Sequence, residues 1–248
     1  MSNKETNLLV PNWPAPAHIK AFCSTRRGGY SSEPYQSFNV ASHVGDDIDD
    51  VMLNRQLLQK SSSHPSILWL QQVHSTILVP FNDDSQQMNA DGSFTTQTQQ
   101  TCAVMTADCL PVLLTDKKGT WVAAVHAGWR GLVDGILLNA VRQYQGDSSL
   151  IAWIGPAISQ QYFEVGKDVY SAFCDLSDYN QDYFKPKSED KWLCDLPAIA
   201  EKQLSECQVD VFQSNLCTYA DEEHYFSYRR DGITGRIVSL IWIEEETH

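Results

Sequence analysis

From Thr101 to His126 the chain passes through three short, apolar, β-prone segments, 101–106, 110–114 and 121–126, and a fourth of the same kind follows at 150–154. Runs of this length and composition read as buried strands, so the chain must build a sheet with a covered core. Asp108 and Pro111 interrupt the first pair, and Gly128 and Gly131 supply a turn after the third. Beyond that turn Val133, Ile136, Leu137, Ala140, Val141 and Tyr144 fall at helical spacing, which predicts a helix starting near Leu132.

The remaining segments extend the pattern. Residues 19–24 and 67–73 read as strands. Asp46 to Lys60 reads as a helix, capped by Asp46 or Asp47, with Val51, Leu53, Leu57 and Leu58 on its apolar side. Residues 82–100 are polar and predict a surface excursion around Ala90-Asp91-Gly92. Asp195-Leu196-Pro197 opens a helix that runs to about Cys207, with the proline tolerated in its first turn. Segments 224–229 and 236–243 read as a closing β-hairpin. Strands outnumber helices without strict alternation, so the expected fold class is α+β, one large mixed β-sheet flanked by helices. No repeat interrupts the chain, and the polar stretch from Lys185 to Asp190 is too short for a linker, so residues 1–248 are expected to form a single domain.

Composition narrows the partners. A net charge of −13 argues against a nucleic acid polymer or an anionic membrane as the target. Six of the eight arginines, however, sit in short Gly-containing segments, where a few of them could hold a small anion such as phosphate. Arg26, Arg130 and Arg229 are the candidates, each beside a glycine turn or a strand end. Seven cysteines with no CxxC pair suggest neither a disulfide framework nor a zinc finger. The start of the chain shows no signal-peptide pattern and no apolar run suits a bilayer, so a cytoplasmic location is expected.

Three residues carry the chemistry. Apolar segments are closed or interrupted by His74, Cys109 and His126. Each taken alone has an ordinary structural explanation, but strand ends can converge. Two imidazoles and a thiolate then form either a three-ligand metal site with one open position or a Cys/His catalytic centre. The set suits zinc, and copper is the alternative occupant. A multicopper laccase needs many histidines, usually in His-x-His pairs; this chain has seven histidines and no such pair.

These residues also carry a family resemblance. Ser24-Thr25-Arg26-Arg27-Gly28-Gly29, Phe38-Asn39, His43-Val44-Gly45-Asp46, Gln72-Val73-His74, Thr106-Ala107-Asp108-Cys109, His126-Ala127-Gly128-Trp129-Arg130-Gly131, Ile154-Gly155-Pro156 and Phe226-Ser227-Tyr228-Arg229-Arg230-Asp231 resemble, in order, the YfiH/YlmD-type family. Its animal members include FAMIN, and it is often labelled "polyphenol oxidase" or "laccase domain". The sequence departs from the family at Phe38-Asn39-Val40, usually Leu-Asn-Leu, and at Ser75, where glycine often follows the histidine.

The resemblance implies an α+β domain similar to the catalytic domain of cytotoxic necrotizing factor toxins, with zinc held by His74, Cys109 and His126. It further implies phosphorolysis of purine nucleosides (adenosine, inosine, methylthioadenosine), with adenosine deaminase activity at the zinc site. Nucleoside and phosphate are then the partners; Asn39 joins Arg26, Arg130 and Arg229 as a substrate-binding candidate, and Asp108 is a proton-shuttle candidate by adjacency to Cys109. Three alternatives stand beside this expectation. One is a cysteine-type hydrolase or editing factor acting on peptidoglycan precursors, one a copper-dependent polyphenol oxidase, and one a non-enzymatic nucleoside- or metal-binding regulator. The oligomeric state is left open.

Overall fold

The structure, a computed structural model, describes residues 7–62, 66–82, 84 and 86–245. His64 and His248, two of the seven histidines, lie outside the described residues. In chain order the strands are β1 (Leu8–Leu9), β2 (Ile19–Ser24), β3 (Ile67–Leu68), β4 (Leu78–Pro80), β5 (Gly92–Thr95), β6 (Thr101–Thr106) and β7 (Leu110–Asp116). They continue with β8 (Val122–Ala127), β9 (Leu150–Ile154), β10 (Glu164–Gly166), β11 (Phe184–Ser188), β12 (Lys191–Cys194), β13 (Asp210–Gln213) and β14 (Ile237–Ile243). The helices are α1 (Ile48–Ser62), α2 (Trp129–Val133), α3 (Ile136–Gln143), α4 (Lys167–Cys174), α5 (Leu196–Glu206) and α6 (Tyr228–Asp231).

The class is α+β as expected, but the strands divide among several sheets rather than one. A five-stranded sheet has the order β1-β2-β14-β6-β3, a six-stranded sheet the order β13-β9-β7-β8-β5-β4, and a small sheet the order β10-β12-β11. The two large sheets are both mixed, with parallel pairs β3–β6, β4–β5 and β9–β13. They lie face to face. Cys102 and Val104 of β6 and Ile237 and Ile241 of β14 pack with Leu113, Ala124 and Trp153 of the other sheet.

Each large sheet is also covered on its outer face. Leu58 of α1 sits with Phe38, Val40 and the alternate residues Ala103, Met105, Val238 and Leu240 of the five-stranded sheet. On the other side Leu132, Ile136, Leu137, Ile199 and Leu204 of α2, α3 and α5 pack on Val112, Leu114, Ala123, Val125 and Ala152. The layers therefore run helix, sheet, sheet, helices. This explains the unbroken apolar runs: β6, β7, β8, β9 and β14 are buried at every position because both faces are covered.

Several boundaries differ from those the sequence predicts. Strand β2 spans the expected residues, but only Ile67–Leu68 of the 67–73 segment is strand. The helix expected near Leu132 begins at Trp129 and breaks at Gly135, whose φ of 88° lies in the left-handed region that glycine adopts freely. The polar stretch 82–100 is not wholly a surface excursion, since β5 runs within it between β4 and β8. The closing hairpin does not form. Ser227 caps the short α6 instead, accepting a hydrogen bond from the Arg230 N–H, and β14 pairs with β2 and β6. The aromatic character that made 224–229 look like a strand belongs to Tyr225 and Phe226, which are buried between the sheets. Among the described residues no helix is long and apolar enough to cross a membrane.

Candidate functional site

The chain passes directly from one large sheet to the other between β6 and β7, and Cys109 stands at that crossing, just ahead of Leu110. Asp108 takes a φ of 92° there, a conformation uncommon for a residue with a side chain. Three hydrogen bonds hold it: Thr218 Oγ1 donates to Asp108 Oδ1 (2.7 Å), the Arg229 N–H to Oδ2 (2.7 Å) and the Ile158 N–H to the carbonyl. With both oxygens so committed, Asp108 shapes the crossing; the proton-shuttle expectation, which rested on adjacency alone, has no geometric support.

Strand register supplies the second donor. Leu110 pairs with Ala127 and Pro111 with His126, which sets Gly128 across from Cys109. His126 is buried at the end of β8, 4% exposed. Gly92 pairs with Val125, so Asp91 lies beside His126 on the opposite edge. Asp91 Oδ1 accepts a hydrogen bond from His126 Nδ1 at 2.8 Å, and the Asp91 carbonyl accepts one from the His126 backbone N–H. A carboxylate on Nδ1 keeps a proton there, so that in the neutral imidazole it is the Nε2 lone pair that is free for a metal.

The third donor rides on the segment after β3. Gln72 ties this segment to β6, donating through Nε2 to the Met105 carbonyl and accepting the Met105 N–H at Oε1, both at 2.7 Å. Asp91 ties it to the other sheet. Its carboxylate accepts the His74 N–H (3.0 Å), the Ser75 N–H (2.6 Å) and the Ser75 hydroxyl (2.7 Å), and more distantly the Val73 N–H. These bonds hold His74 at a φ of 59°. Asp91 is thus fully buried and fixes both histidines. Sequence reading passed over it as part of a surface turn; its signal, an acidic residue opening a strand, gains meaning only from the register with β8.

The three expected donors converge. His74, Cys109 and His126 each offer one ligand atom, all within 4.8 Å of one another, and Cys109 Sγ lies 4.0 Å from His74 Nε2. A β-carbon at Gly128 would stand 2.9 Å from His74 Cδ2 and 3.2 Å from Cys109 Sγ, so a glycine is needed for the gap to remain open. Burial alone would push the Cys109 thiol up, but hydrogen bonding and charge from His126 and His74 outweigh it and pull the pKa from 9.0 down to about 6. Burial would likewise lower His126, yet Asp91 and Cys109 raise it.

The residues fit a metal. A thiolate and two imidazoles are the donors that zinc and copper select. They lie within 4.8 Å of one another, somewhat wider than the roughly 3.5 Å between ligands of one tetrahedral ion with bonds of about 2.0–2.3 Å, so a bound ion would draw them together. Asp91 would supply the carboxylate of a carboxylate–histidine–metal arrangement. The identity of the metal is not fixed by these donors. Among the described residues this is the one such group of three.

The cluster opens into a cleft of about 400 Å³ lined by His43, Gln72, His74, Met105, Thr106, Ala107, Cys109, His126, Tyr228 and Arg236. None of the expected substrate-binding arginines is among them. Arg26 donates to the Gln36 and Glu222 carbonyls and stacks over Phe226. It borders a larger groove of about 1020 Å³ that lacks the His/Cys cluster. Arg130 is exposed and lies over Trp129, and Arg229 donates to the Glu164 and Tyr162 carbonyls. Asn39 is buried outside the cleft, and its Oδ1 accepts the Arg236 N–H. Arg236 is therefore the cleft's arginine, and glycine flanking could not single it out, because every one of these arginines has a glycine or a turn nearby.

The family model described as "Multi-copper polyphenol oxidoreductase laccase" matches residues 20–244. A "Purine nucleoside phosphorylase" of Haemophilus influenzae is 44% identical over 241 residues, 95% of this chain and 99% of that protein. "Purine nucleoside phosphorylase YfiH" of Escherichia coli strain K12 is 42% identical, covering 96% and 99%. A Neisseria meningitidis crystal structure superposes with a TM-score of 0.93 at 43% identity over 96% of this chain and all of the other. YlmD from Geobacillus stearothermophilus gives 0.88 at 27% identity over 96% of each chain. The expected likeness to the catalytic domain of cytotoxic necrotizing factor toxins is not confirmed by these similarities.

Proposed function

The chain belongs to the YfiH/YlmD family, whose model is described as "Multi-copper polyphenol oxidoreductase laccase", and we propose that it is a purine nucleoside phosphorylase using the cleft at His74, Cys109 and His126. The observation that carries this reading is near end-to-end similarity, at 44% and 42% identity, to proteins named for that activity, in a chain whose reactive side chains meet in one cleft. The substrates are adenosine, inosine or methylthioadenosine with inorganic phosphate.

In phosphorolysis a phosphate oxygen bonds to C1′ of the sugar while the C1′–N9 bond breaks and its electron pair leaves with the base. The proton carried by hydrogen phosphate ends, in net terms, on that base. The transition state is oxocarbenium-like, so positioning and charge placement do most of the work. Asp91 holds His126 in one tautomer and His74 in one backbone conformation, which pre-sets both imidazoles. The Cys109 thiol, drawn down to about 6, is a thiolate at neutral pH and adds negative charge opposite the developing cation. Tyr228, 61% exposed at the cleft edge, offers a ring face to the base. When zinc is bound at His74, Cys109 and His126 it supplies Lewis acidity and eases deprotonation of water, which suits adenosine deamination as the side activity.

A second reading has its own observation. Cys109, His126 and Asp91 form a nucleophile, base and orienting carboxylate in sequence, the arrangement of a cysteine hydrolase. A peptidoglycan precursor is the substrate class in that case. One experiment separates them: mass-spectrometric product analysis of zinc-loaded protein with inosine, adenosine and methylthioadenosine, with and without phosphate. Phosphate-dependent release of base with the matching sugar 1-phosphate supports phosphorolysis, and inosine from adenosine without phosphate supports the side activity. Unchanged nucleosides, together with Cys109-dependent hydrolysis that survives a chelator, support the second reading.

A further inference from the structure

Phosphorolysis needs a place for an oxyanion, and the arginines expected from sequence do not face the cleft. Arg26 and Arg229 spend their guanidinium groups on carbonyls. Arg230 forms a two-pronged ion pair with Asp231 and also donates to the Thr218, Tyr219 and Tyr225 carbonyls.

Arg236 differs in each respect. It lines the cleft together with Cys109, His74 and His126. Its Nη1 donates to the Thr234 and Gly235 carbonyls at 2.9 Å, which anchors one edge of the fork, and its backbone N–H is held by Asn39 Oδ1. Among the described residues no carboxylate forms an ion pair with it; burial disfavours its charge, and the charges of Cys109 and Asp108, acting without contact, offset this only in part. The guanidinium also lies near the His43 ring and the Tyr228 ring. A half-buried cation with one edge fixed, no carboxylate partner and an open cleft in front of it is built to receive an anion from solution.

We infer that Arg236 holds the oxyanion co-substrate in this cleft, inorganic phosphate being the one that the proposed phosphorolysis requires. The inference rests on that reading for the identity of the anion, not for the existence of the subsite. Asn39, named from the sequence as a substrate-binding candidate, is then a positioning residue that acts through the Arg236 backbone.

The test uses the zinc-loaded full chain and its Arg236→Gln variant, after equal zinc content and circular dichroism are confirmed. Phosphate binding is followed calorimetrically without nucleoside, and KM is measured separately for phosphate and inosine. Loss of a hydrogen bond to a charged group predicts phosphate binding weakened on the order of 10- to 100-fold, with KM for inosine changed by less than about 3-fold. Phosphate binding that is lost in the variant while wild-type protein leaves every nucleoside intact supports the subsite and sinks the phosphorylase reading alone. Absence of phosphate binding to the wild type, or equal binding by the variant, overturns the inference. A variant that alters only Cys109 alkylation also overturns it, because Arg236 would then serve the thiolate. Should Arg236→Gln not fold, the wild-type Arg236 Nε–H resonance, assigned by its absence from Arg236→Lys, is expected to shift on phosphate titration; a stationary resonance overturns the proposal.

Discussion

Replacing Asp91 with asparagine changes one buried atom and tests the whole construction of the site. The carboxylate divides its acceptors unequally. Oδ1 takes the His74 N–H and His126 Nδ1, while Oδ2 takes the Ser75 N–H and hydroxyl and the longer bond from Val73. An asparagine amide therefore meets the fewest donors when its NH₂ occupies the Oδ1 position. Even there it faces two. His126 can yield by moving its proton to Nε2 so that Nδ1 accepts, but the His74 N–H cannot. One buried donor left unsatisfied costs about 1–3 kcal/mol. With the charge lost from the bonds that remain, the variant should be less stable by about 2–4 kcal/mol, within what a domain of ordinary stability survives.

The proton move has a second consequence. Nε2 of His126 then carries hydrogen and its lone pair is gone, so metal affinity should fall by about 10- to 100-fold. Urea unfolding in a chelator reads the first quantity, competition with a chromogenic chelator the second, and nitrogen-15 chemical shifts of His126 read the tautomer directly. The stability gap also depends on acidity. Burial would raise the Asp91 carboxyl, but hydrogen bonds from His126 and Ser75 hold it below its ordinary 3.8. Its contribution is complete above that pH and disappears as the pH falls through the folded value, so wild type and variant should converge in acid. Unchanged zinc affinity with His126 still protonated at Nδ1 would refute the tautomer reasoning. Unchanged stability at neutral pH would refute the hydrogen-bond accounting as well.

Gly128→Ala should fold yet lose zinc and turnover, because its β-carbon would press on His74 and Cys109; retained zinc content measured by atomic absorption would contradict the packing. In metal-free protein the rate of Cys109 carboxamidomethylation should rise with pH about a midpoint near 6, since the lowered pKa makes the thiolate prevail above it, and a midpoint near 9 would show that the histidines do not stabilise it. Cys109→Ala should abolish phosphorolysis and deamination together, and full turnover by either route in the product assay would separate that activity from the cluster. Trp153→Ala, emptying the space between the two large sheets, should lower unfolding stability by about 3–5 kcal/mol in urea titration with little change in zinc affinity.

The donors were legible because each ends or interrupts an apolar run, and the runs themselves located β2, β6, β7, β8 and β9 closely. What such runs withhold is which sheet each joins. A strand buried on both faces looks the same whether helices or a second sheet covers it, so β6 and β7 read as members of one large sheet when in fact the chain changes sheets at Ala107–Cys109. Asp91 was hidden for a related reason, since its role depends on lying beside His126 across a strand pair that polar residues 82–100 do not advertise. Arg236 was passed over because a sequence shows where an arginine sits and not where its guanidinium turns. Carbonyls capture Arg26 and Arg229, and only the folded loops reveal that.

The site is a property of the seam between the sheets. Cys109 is on the crossing from one sheet to the other, His126 closes a strand of the six-stranded sheet, and His74 lies on a segment bound to β6 through Gln72 and to β5 through Asp91. Neither sheet by itself carries all three donors. Any motion that slides one sheet over the other must therefore change the His74-to-Cys109 separation, and a metal that draws the donors together must in turn resist that motion. Metal affinity and resistance to unfolding are consequently linked, with Asp91 as the residue through which the link passes. That is why a one-atom change there should register in both measurements, whereas emptying the Trp153 space should register in only one.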